Sequence, residues 1–320
     1  AGLEALQRAA QAALLRAASE EHPAALEILA ASVETRINSR MFVMPGKMGV
    51  LVVNVGYGTT WGEWRSRLQL YAEWLDTIVA DDPGVMVVLA DGLDVIFGGC
   101  DEATFLERYM AIVAASGGAP VVFGAEMCCF PGRSPCMEYD HFDARRARVL
   151  ATHRAQDLYA AHADCTRCRD LRNPAKDSRC STPRAYRHLN AGFVLGPAIR
   201  VREALALWLS LFAAQDEDDQ LVAHRALHAR PDLITLDYAG GLVFNIGQFD
   251  DSDLERLVDV SDGILLNRVL SAPQCFVHGN GNKAGLAHLL RRLSNQTQQR
   301  ATLKLKHCET GTVGLCSGGG

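Results

Sequence analysis

The chain has 320 residues, 48% of them hydrophobic, and a formal net charge of −5 at pH 7. This length and apolar content allow one large domain with a full hydrophobic core. An acidic chain without a large cluster of Lys and Arg is unlike a protein that binds nucleic acid. No run approaches the roughly 20 consecutive apolar residues that cross a bilayer. We therefore expect neither a nucleic-acid partner nor a membrane span in this chain.

Strands and helices alternate along the first half of the chain, which is typical of a parallel sheet in an α/β protein. The Ala-rich segment 1–22 predicts an N-terminal helical extension at the surface, which Pro23 ends. Apolar residues at helical spacing from Trp64 to Ile78 predict a helix that packs on the core. Strands are expected over residues 26–33, 50–55, 86–90 and 121–124, and a further helix over 104–115.

The second half begins with an insert rich in Cys, Arg and Pro, 128–187, in which this periodicity is lost. We expect the insert to be irregular and held by cross-links or metal. Regular structure is predicted to resume afterwards within one domain over 23–300, which a tail of mostly small residues, 301–320, follows. The expected elements are strands over 192–195, 233–237 and 274–278 and a helix over 201–214.

Ten cysteines are many for a chain of this size, and most of them lie between Cys100 and Cys180. Such a number favours disulfides and the secretory pathway. The spacing of Cys165 and Cys168, with His162 before them and Cys180 after them, is also compatible with zinc. Reduced thiols are the third alternative, and the sequence leaves all three open.

Asp91 and Asp94 follow an apolar strand, 86–90, that reads as buried on both faces. Carboxylates at the carboxyl end of such a strand commonly hold a cation or a ligand. Gly92 lets the backbone turn so that both carboxylates point to one ion. The alternative is a solvated turn with an Asp cap. We favour the cation because a second segment supplies complementary groups.

The second segment is HGNGNK, His278 to Lys283, which follows another apolar strand. Its imidazole, its two glycines that permit close backbone approach, and its Lys283 cation suit a metal-bound diphosphate. Read alone, the segment is equally compatible with a surface turn. Mixed oxygen and imidazole ligands favour Mn²⁺ over Ca²⁺ and leave Mg²⁺ as an alternative.

A run of four acids from Asp216 to Asp219 precedes an apolar continuation. Solvated acids at the start of a helix are the common explanation, because negative charge is favourable there. The alternative is that some of these carboxylates act in a site, since consecutive like charges are costly unless they are solvated or used.

Five segments follow one another along the chain: ADGLDVIFGG, VVFGAEMCCFPG, YRHLNAGFVLG, EDDQ and HGNGNK. In this order they resemble the glycosyltransferase domain of procollagen lysyl hydroxylases and of their algal, protist and viral relatives. Two upstream segments, ILAASVETR and VNVGYGTTW, resemble the first two strands of that domain. The resemblance covers about Glu27 to Leu290 and leaves out the N-terminal helix and the Cys-rich insert.

The resemblance implies a glycosyltransferase type A (GT-A) fold, with a Rossmann-like nucleotide-binding α/β sheet flanked by helices. It implies a donor, UDP-glucose or UDP-galactose, held through Mn²⁺. The sugar would pass to a hydroxyl of a protein or glycan acceptor, such as hydroxylysine or galactosyl-hydroxylysine of a collagen-like protein. A protein of this kind is expected in the lumen of the endoplasmic reticulum or Golgi.

The resemblance also implies roles for individual residues. Asp91, Asp94 and His278 would be the Mn²⁺ ligands. Asp218 and Asp219 would lie near the sugar and the acceptor, where one of them orients or deprotonates the acceptor hydroxyl. Lys283 would neutralise charge on the departing UDP. The other residues expected beside the nucleotide sugar are Ser32, Trp61, Gly92, Leu93, Asn190, Gly279, Asn280 and Gly281.

Two positions depart from that family. Leu93 stands where the animal enzymes have an aromatic residue that stacks on uracil, and Phe130 stands where they have Trp beside the acceptor. A catalytically silent GT-A module that binds glycan or protein is the alternative function, but the intact metal ligands and Lys283 argue against it. A phosphatase of the haloacid dehalogenase type would require D-x-D, whereas the spacing in this chain is D-x-x-D.

Overall fold

The structure, a computed structural model, describes residues 28–34, 50–56, 58–92, 94–127, 142–152, 186–261 and 263–297. The expected N-terminal extension, the C-terminal tail and most of the Cys-rich insert lie outside these residues, as do Leu93 and Phe130. The described residues form an α/β arrangement in which helices flank a mixed six-stranded sheet. Among the described helices, none is long and apolar enough to cross a membrane.

The first half of the described chain alternates strands with helices: β1 (Ile28–Ser32), β2 (Val50–Asn54), α1 (Glu63–Asp81), β3 (Met86–Ala90), β4 (Val95–Phe97), α2 (Glu102–Ala115) and β5 (Val121–Glu126). Apart from β4, which was not among the predicted strands, these bounds differ by only a few residues from those predicted. The helix α2 begins before the predicted residue 104 because the Asp101 side chain caps it by accepting from the Thr104 amide (2.8 Å).

The described residues of the second half form five helices and seven strands: α3 (Asp143–Thr152), β6 (His188–Pro197), α4 (Ala198–Ser210), α5 (Asp219–Ala229), β7 (Ile234–Asp237), β8 (Val243–Asn245), α6 (Asp251–Leu257), β9 (Val258–Ser261), β10 (Ile264–Asn267), β11 (Ala272–Pro273), β12 (Phe276–His278) and α7 (Lys283–Thr297). The helix α3 lies inside the insert, so the expectation of an irregular insert is wrong for this part. Val149 is fully buried, and Arg145 donates to Pro231 O (2.7 Å), so α3 packs on the domain.

The central sheet has the strand order β2-β1-β3-β6-β5-β7 and is mixed, which corrects the expectation of a parallel sheet. β2, β1 and β3 run parallel to one another, and β5 is parallel to β7, but β6 is antiparallel to both β3 and β5. The chain leaves the carboxyl end of β5 and enters β6 at that same end, instead of crossing back over the sheet as in a βαβ unit. Alternation of strands and helices does not distinguish these two routes.

A three-stranded sheet, β4-β12-β8, brings the two polar segments together. β12 is antiparallel to β4, with His278 opposite Val95, and parallel to β8, with His278 beside Asn245. Asp94 immediately precedes β4, and His278 ends β12. This pairing therefore sets the acidic pair beside HGNGNK, although the two are far apart in the chain.

A disulfide joins the same two strands at their other end. Cys100 follows β4 and Cys275 precedes β12, and both are fully buried. The Gly98 amide donates to Cys275 O (2.7 Å) and the Cys100 amide to Gln274 O (3.2 Å), so the backbone pairing extends to the cross-link. The disulfide expectation is therefore met by one pair. The other cysteines, including the candidate zinc ligands around Cys165, lie outside the described residues.

The apolar stripe of α1 packs as predicted except at its start. Leu68, Tyr71, Trp74 and Leu75 are buried against the sheet. Trp64, in contrast, is 38% exposed, so the expectation that the whole stripe is core packing is wrong at this residue. Trp64 lies in the first turn of α1, one turn before Leu68.

His224 provides a test of the core through pH. It is fully buried in α5. Burial is the main cause that lowers its pKa to about 3, and the nearby His188 and His228 lower the pKa further. In the unfolded chain this histidine is protonated below about pH 6.5, whereas in the folded chain it stays neutral down to about pH 3. Its contribution to the free energy of unfolding is therefore fully present above pH 6.5 and is lost as the pH falls towards 3. Between pH 7 and pH 5 the wild type should lose about 2 kcal/mol more than His224→Asn in urea unfolding. Equal losses in both proteins would contradict this origin.

Candidate functional site

The loop that carries Asp91, Gly92 and Asp94 lies at the carboxyl ends of β1 and β3. A Cβ built on Gly92 would lie 2.9 Å from Ser32 Oγ, so the loop approaches β1 as closely as only glycine allows. Ser32 is buried, and its Oγ has no hydrogen-bond partner among the described residues. Two of the residues predicted to border the nucleotide are therefore adjacent.

Asp94 connects this loop to HGNGNK. The Asp94 amide donates to Asp91 O (3.1 Å), which closes a turn, and the Gly279 amide donates to Asp94 O (2.7 Å). Lys283 Nζ lies 3.8 Å from Asp94 Oδ1. Asp94 Oδ1 is buried and makes no hydrogen bond within the described chain. This carboxylate oxygen is thus left without a hydrogen bond, and Lys283 is its ion-pair partner among the described residues.

His278 points at the other carboxylate of the pair. Its Nε2 lies 3.9 Å from Asp91 Oδ2, and its side chain is 2% exposed. Both groups converge over Gly192 in β6. A Cβ at that position would lie 2.3 Å from His278 Cε1 and 2.7 Å from Asp91 Oδ2, so only glycine leaves room for them. Gly192 was not predicted, because nothing in the sequence says what packs above it.

The protonation of His278 follows from its second ring nitrogen. Asn245 Nδ2 donates to Ala125 O (2.6 Å), so Asn245 Oδ1 must accept a hydrogen bond from His278 Nδ1–H (2.7 Å). Burial lowers the pKa of His278, although Asp91 and Asp94 oppose that shift. The ring is therefore neutral at pH 7, and the Nε2 lone pair faces the Asp91 carboxylate. Two lone pairs that face each other are stabilised by a cation between them.

These donors fit a divalent cation in their chemistry. Asp91 Oδ2, Asp94 Oδ1 and His278 Nε2 are an oxygen and imidazole set of the kind that Mn²⁺ accepts. Two of the three, Asp94 Oδ1 and His278 Nε2, are buried and lack a hydrogen-bond partner in the described part of the chain. As they stand, no three or more His, Cys, Asp or Glu side chains among the described residues form a metal-binding group.

Arg67 is the main residue that the sequence did not indicate. From α1, one of its nitrogens donates to Asp91 and another to Asp219, and Arg67 and Asp219 are both buried. Burial lowers the pKa of Arg67, but Asp219 and Asp91 more than offset it, so the net pKa is raised. Burial raises the pKa of Asp219 to about 6, against the effect of Arg67. One guanidinium therefore contacts two carboxylates and offsets only part of their negative charge.

The two predicted catalytic acids occupy different environments. Asp218 caps α5, where its side chain accepts from the Leu221 amide (3.1 Å). Asp219 is buried at the start of the same helix, and its backbone carbonyl accepts from Trp208 Nε1 (2.8 Å). The solvated alternative is therefore wrong for Asp219, and only this acid is brought to the Asp91 side of the site.

A buried carboxylate, Glu126, organises the far side of the site. Its side chain accepts from three amides: Gln220 (2.7 Å), Asn280 (2.8 Å) and Asn190 (3.2 Å). The Asn190 side chain also accepts from the Gly192 amide (2.9 Å). Asn190 and Asn280 were predicted, whereas Glu126 and Gln220 were not, because each lies inside an otherwise ordinary strand or helix. The cluster fixes the HGNGNK turn against β5.

Three predicted residues lie at the edge of the arrangement. Trp61 is 46% exposed and packs edge to face on Trp64, with ring centres 5.3 Å apart, while Trp64 covers Arg67. The Lys283 side chain is 73% exposed. Gly281 has a φ of 91°, which permits the turn before α7.

Comparison with models of known protein families gives no match for this chain. A search of curated proteins also finds no significant similarity. The chain's own residues are therefore the basis of the function proposed below.

Proposed function

We propose that this chain is a Mn²⁺-dependent glycosyltransferase of the GT-A type, which transfers glucose or galactose from a UDP-sugar to a hydroxyl acceptor. The observation that carries the proposal is the Asp91 carboxylate facing the neutral His278 nitrogen at 3.9 Å. Asp94 Oδ1 and Lys283 stand beside this pair. An acidic and imidazole group next to a Gly-rich turn and a lysine suits a cation with a diphosphate.

In this proposal, Asp91, Asp94 and His278 would hold the cation. The bound Mn²⁺ would supply charge that stabilises the departing diphosphate. Lys283 would add a second positive charge at the same leaving group. Its exposed side chain leaves it free to reach a ligand that the buried groups hold.

The acceptor side of the proposal rests on Asp219 and its surroundings. Arg67 holds Asp219 as a carboxylate near the cation ligands. An ionised Asp219 would orient the acceptor hydroxyl or accept its proton. The Glu126 cluster would keep Asn190 and Asn280 in place beside the sugar. The buried disulfide favours an oxidising compartment, such as the lumen of the endoplasmic reticulum or Golgi. The acceptor is proposed to be a protein or a glycan.

A panel of UDP-sugars with Mn²⁺ tests this function through thermal shift and UDP release. We expect UDP-glucose or UDP-galactose to stabilise the protein and to release UDP. Asp94→Ala should reduce release on the order of 100-fold. Asp76→Ala is the matched control, because Asp76 is an exposed acid that pairs with Arg202 away from the site.

A different result would decide against the proposal. If no UDP-sugar both stabilises the protein and turns over, or if Asp94→Ala and Asp76→Ala release UDP at the wild-type rate, the proposed function is wrong.

A second candidate, a binding module that needs no metal, is favoured by one observation. Arg67 already pairs with both Asp91 and Asp219, so one positive charge offsets part of their negative charge without a cation. A buried ion pair of this kind is stable only while both partners remain. This candidate predicts that UDP or glycan binds equally well in EDTA and in Mn²⁺, and that no UDP-sugar is consumed.

A further inference from the structure

Asn245 is the only described side chain that hydrogen-bonds to the His278 ring. The two residues are neighbours in the parallel register of β8 and β12, and both are buried. Asn245 does not face Asp91 or Asp94 in any described contact. Any effect of Asn245 on the site is therefore exerted through its hydrogen bond to His278.

The orientation of the Asn245 amide is fixed by its surroundings. Its Nδ2 donates to Ala125 O in β5 (2.6 Å), and its backbone carbonyl accepts from the Tyr186 hydroxyl (2.6 Å). A Cβ built on Gly124 would lie 3.0 Å from Asn245 Nδ2, so the strand comes close to the amide at a glycine. If the amide were flipped, its oxygen would face the Ala125 carbonyl oxygen. Only Oδ1 is therefore available to His278.

We propose that Asn245 is a positioning residue that fixes His278 in the tautomer protonated at Nδ1, and so keeps the Nε2 lone pair directed at Asp91. The inference rests on the proposed function in so far as that lone pair serves a cation. A hydrogen bond from the second ring nitrogen commonly sets the tautomer and the orientation of a ligating histidine. The opposite tautomer would direct Nε2–H at the Asp91 carboxylate, and Nε2 would then have no lone pair with which to bind a cation.

Long-range ¹H–¹⁵N NMR of protein labelled at histidine nitrogen reads the tautomer directly, without any metal. The His278 signals are identified by their absence in His278→Gln. In the cation-free wild type at pH 7 we expect a protonated Nδ1 and an unprotonated Nε2. A protonated Nε2 in the wild type would overturn the proposal, and no variant is needed for that result.

Two variants separate positioning from simple support of the fold. Asn245→Leu loses the bonds to both Ala125 and His278. Asn245→Asp retains an acceptor for Nδ1–H, and its second oxygen, which faces the Ala125 carbonyl oxygen, keeps a hydrogen bond there only as a protonated carboxyl. We expect Asn245→Leu to lose the Nδ1 tautomer and to weaken Mn²⁺ binding by about 10- to 100-fold. Asn245→Asp should keep the tautomer and bind Mn²⁺ within about threefold of the wild type.

Equal loss of Mn²⁺ binding in both variants, or an unchanged tautomer in Asn245→Leu, would overturn the positioning role. If the wild type itself binds no Mn²⁺, that result contradicts the proposed function. The tautomers of the wild type and of Asn245→Leu then decide the role of Asn245 by themselves.

Discussion

Gly192→Ala should weaken Mn²⁺ binding on the order of 100-fold, because the new methyl group takes the space in which His278 and Asp91 meet. The built Cβ lies 2.3 Å from His278 Cε1, and both groups are held by other contacts, His278 by Asn245 and Asp91 by Arg67. At least one must rotate away. The overpacking itself should cost about 1–3 kcal/mol of stability, so the variant is expected to fold.

Isothermal titration of Mn²⁺ measures this effect. Gly84→Ala is the matched control, since a Cβ there meets only Asp82 Oδ1 at an ordinary 3.5 Å. The control should bind Mn²⁺ like the wild type. Wild-type affinity in Gly192→Ala would mean that the cation does not use the space between His278 and Asp91.

Removing the disulfide with Cys100→Ser and Cys275→Ser should lower the free energy of unfolding by about 5 kcal/mol in the loop-entropy description. The bond restricts a separation of 175 residues in the unfolded chain. Both sulfurs are fully buried beside Arg108, whose Nη1 lies 3.7 Å from Cys275 Sγ. Two hydroxyls left there would add a cost of desolvation.

Urea unfolding with and without reductant isolates this contribution. The cysteines outside the described residues are present in both proteins, so reductant affects them equally. Reductant breaks the Cys100–Cys275 bond only in the wild type, whose free energy of unfolding should therefore fall by several kcal/mol more than that of the double variant. A wild type and a double variant that lose the same stability in reductant would show that this bond contributes little.

The segments that carry the candidate site could be predicted because their signals are local. Apolar runs before Asp91 and before His278 define strands, and polar residues after a buried strand stand out. Each of the five motifs is weak evidence by itself, and their common order along the chain makes the resemblance more specific. The structure then brings Asp91, Asp94, His278 and Lys283 together by pairing β4 with β12.

The residues that sequence reasoning missed depend on contacts across the fold. In the sequence, Arg67 is one of several polar residues of an amphipathic helix. Only the fold brings it beside Asp219, which lies 152 positions later in the chain. Asn245 lies on a strand of three residues, too short for a periodic signal. The reversed direction of β6 depends on where a long connection returns, which local patterns do not contain.

The most direct test of the central claim is the affinity of the wild type for UDP, titrated calorimetrically in Mn²⁺ and again in EDTA. If Asp91, Asp94 and His278 hold a cation for a diphosphate, UDP should bind at least about tenfold more tightly with Mn²⁺, and His278→Ala should abolish the difference. Equal affinity for UDP in Mn²⁺ and in EDTA would contradict the account.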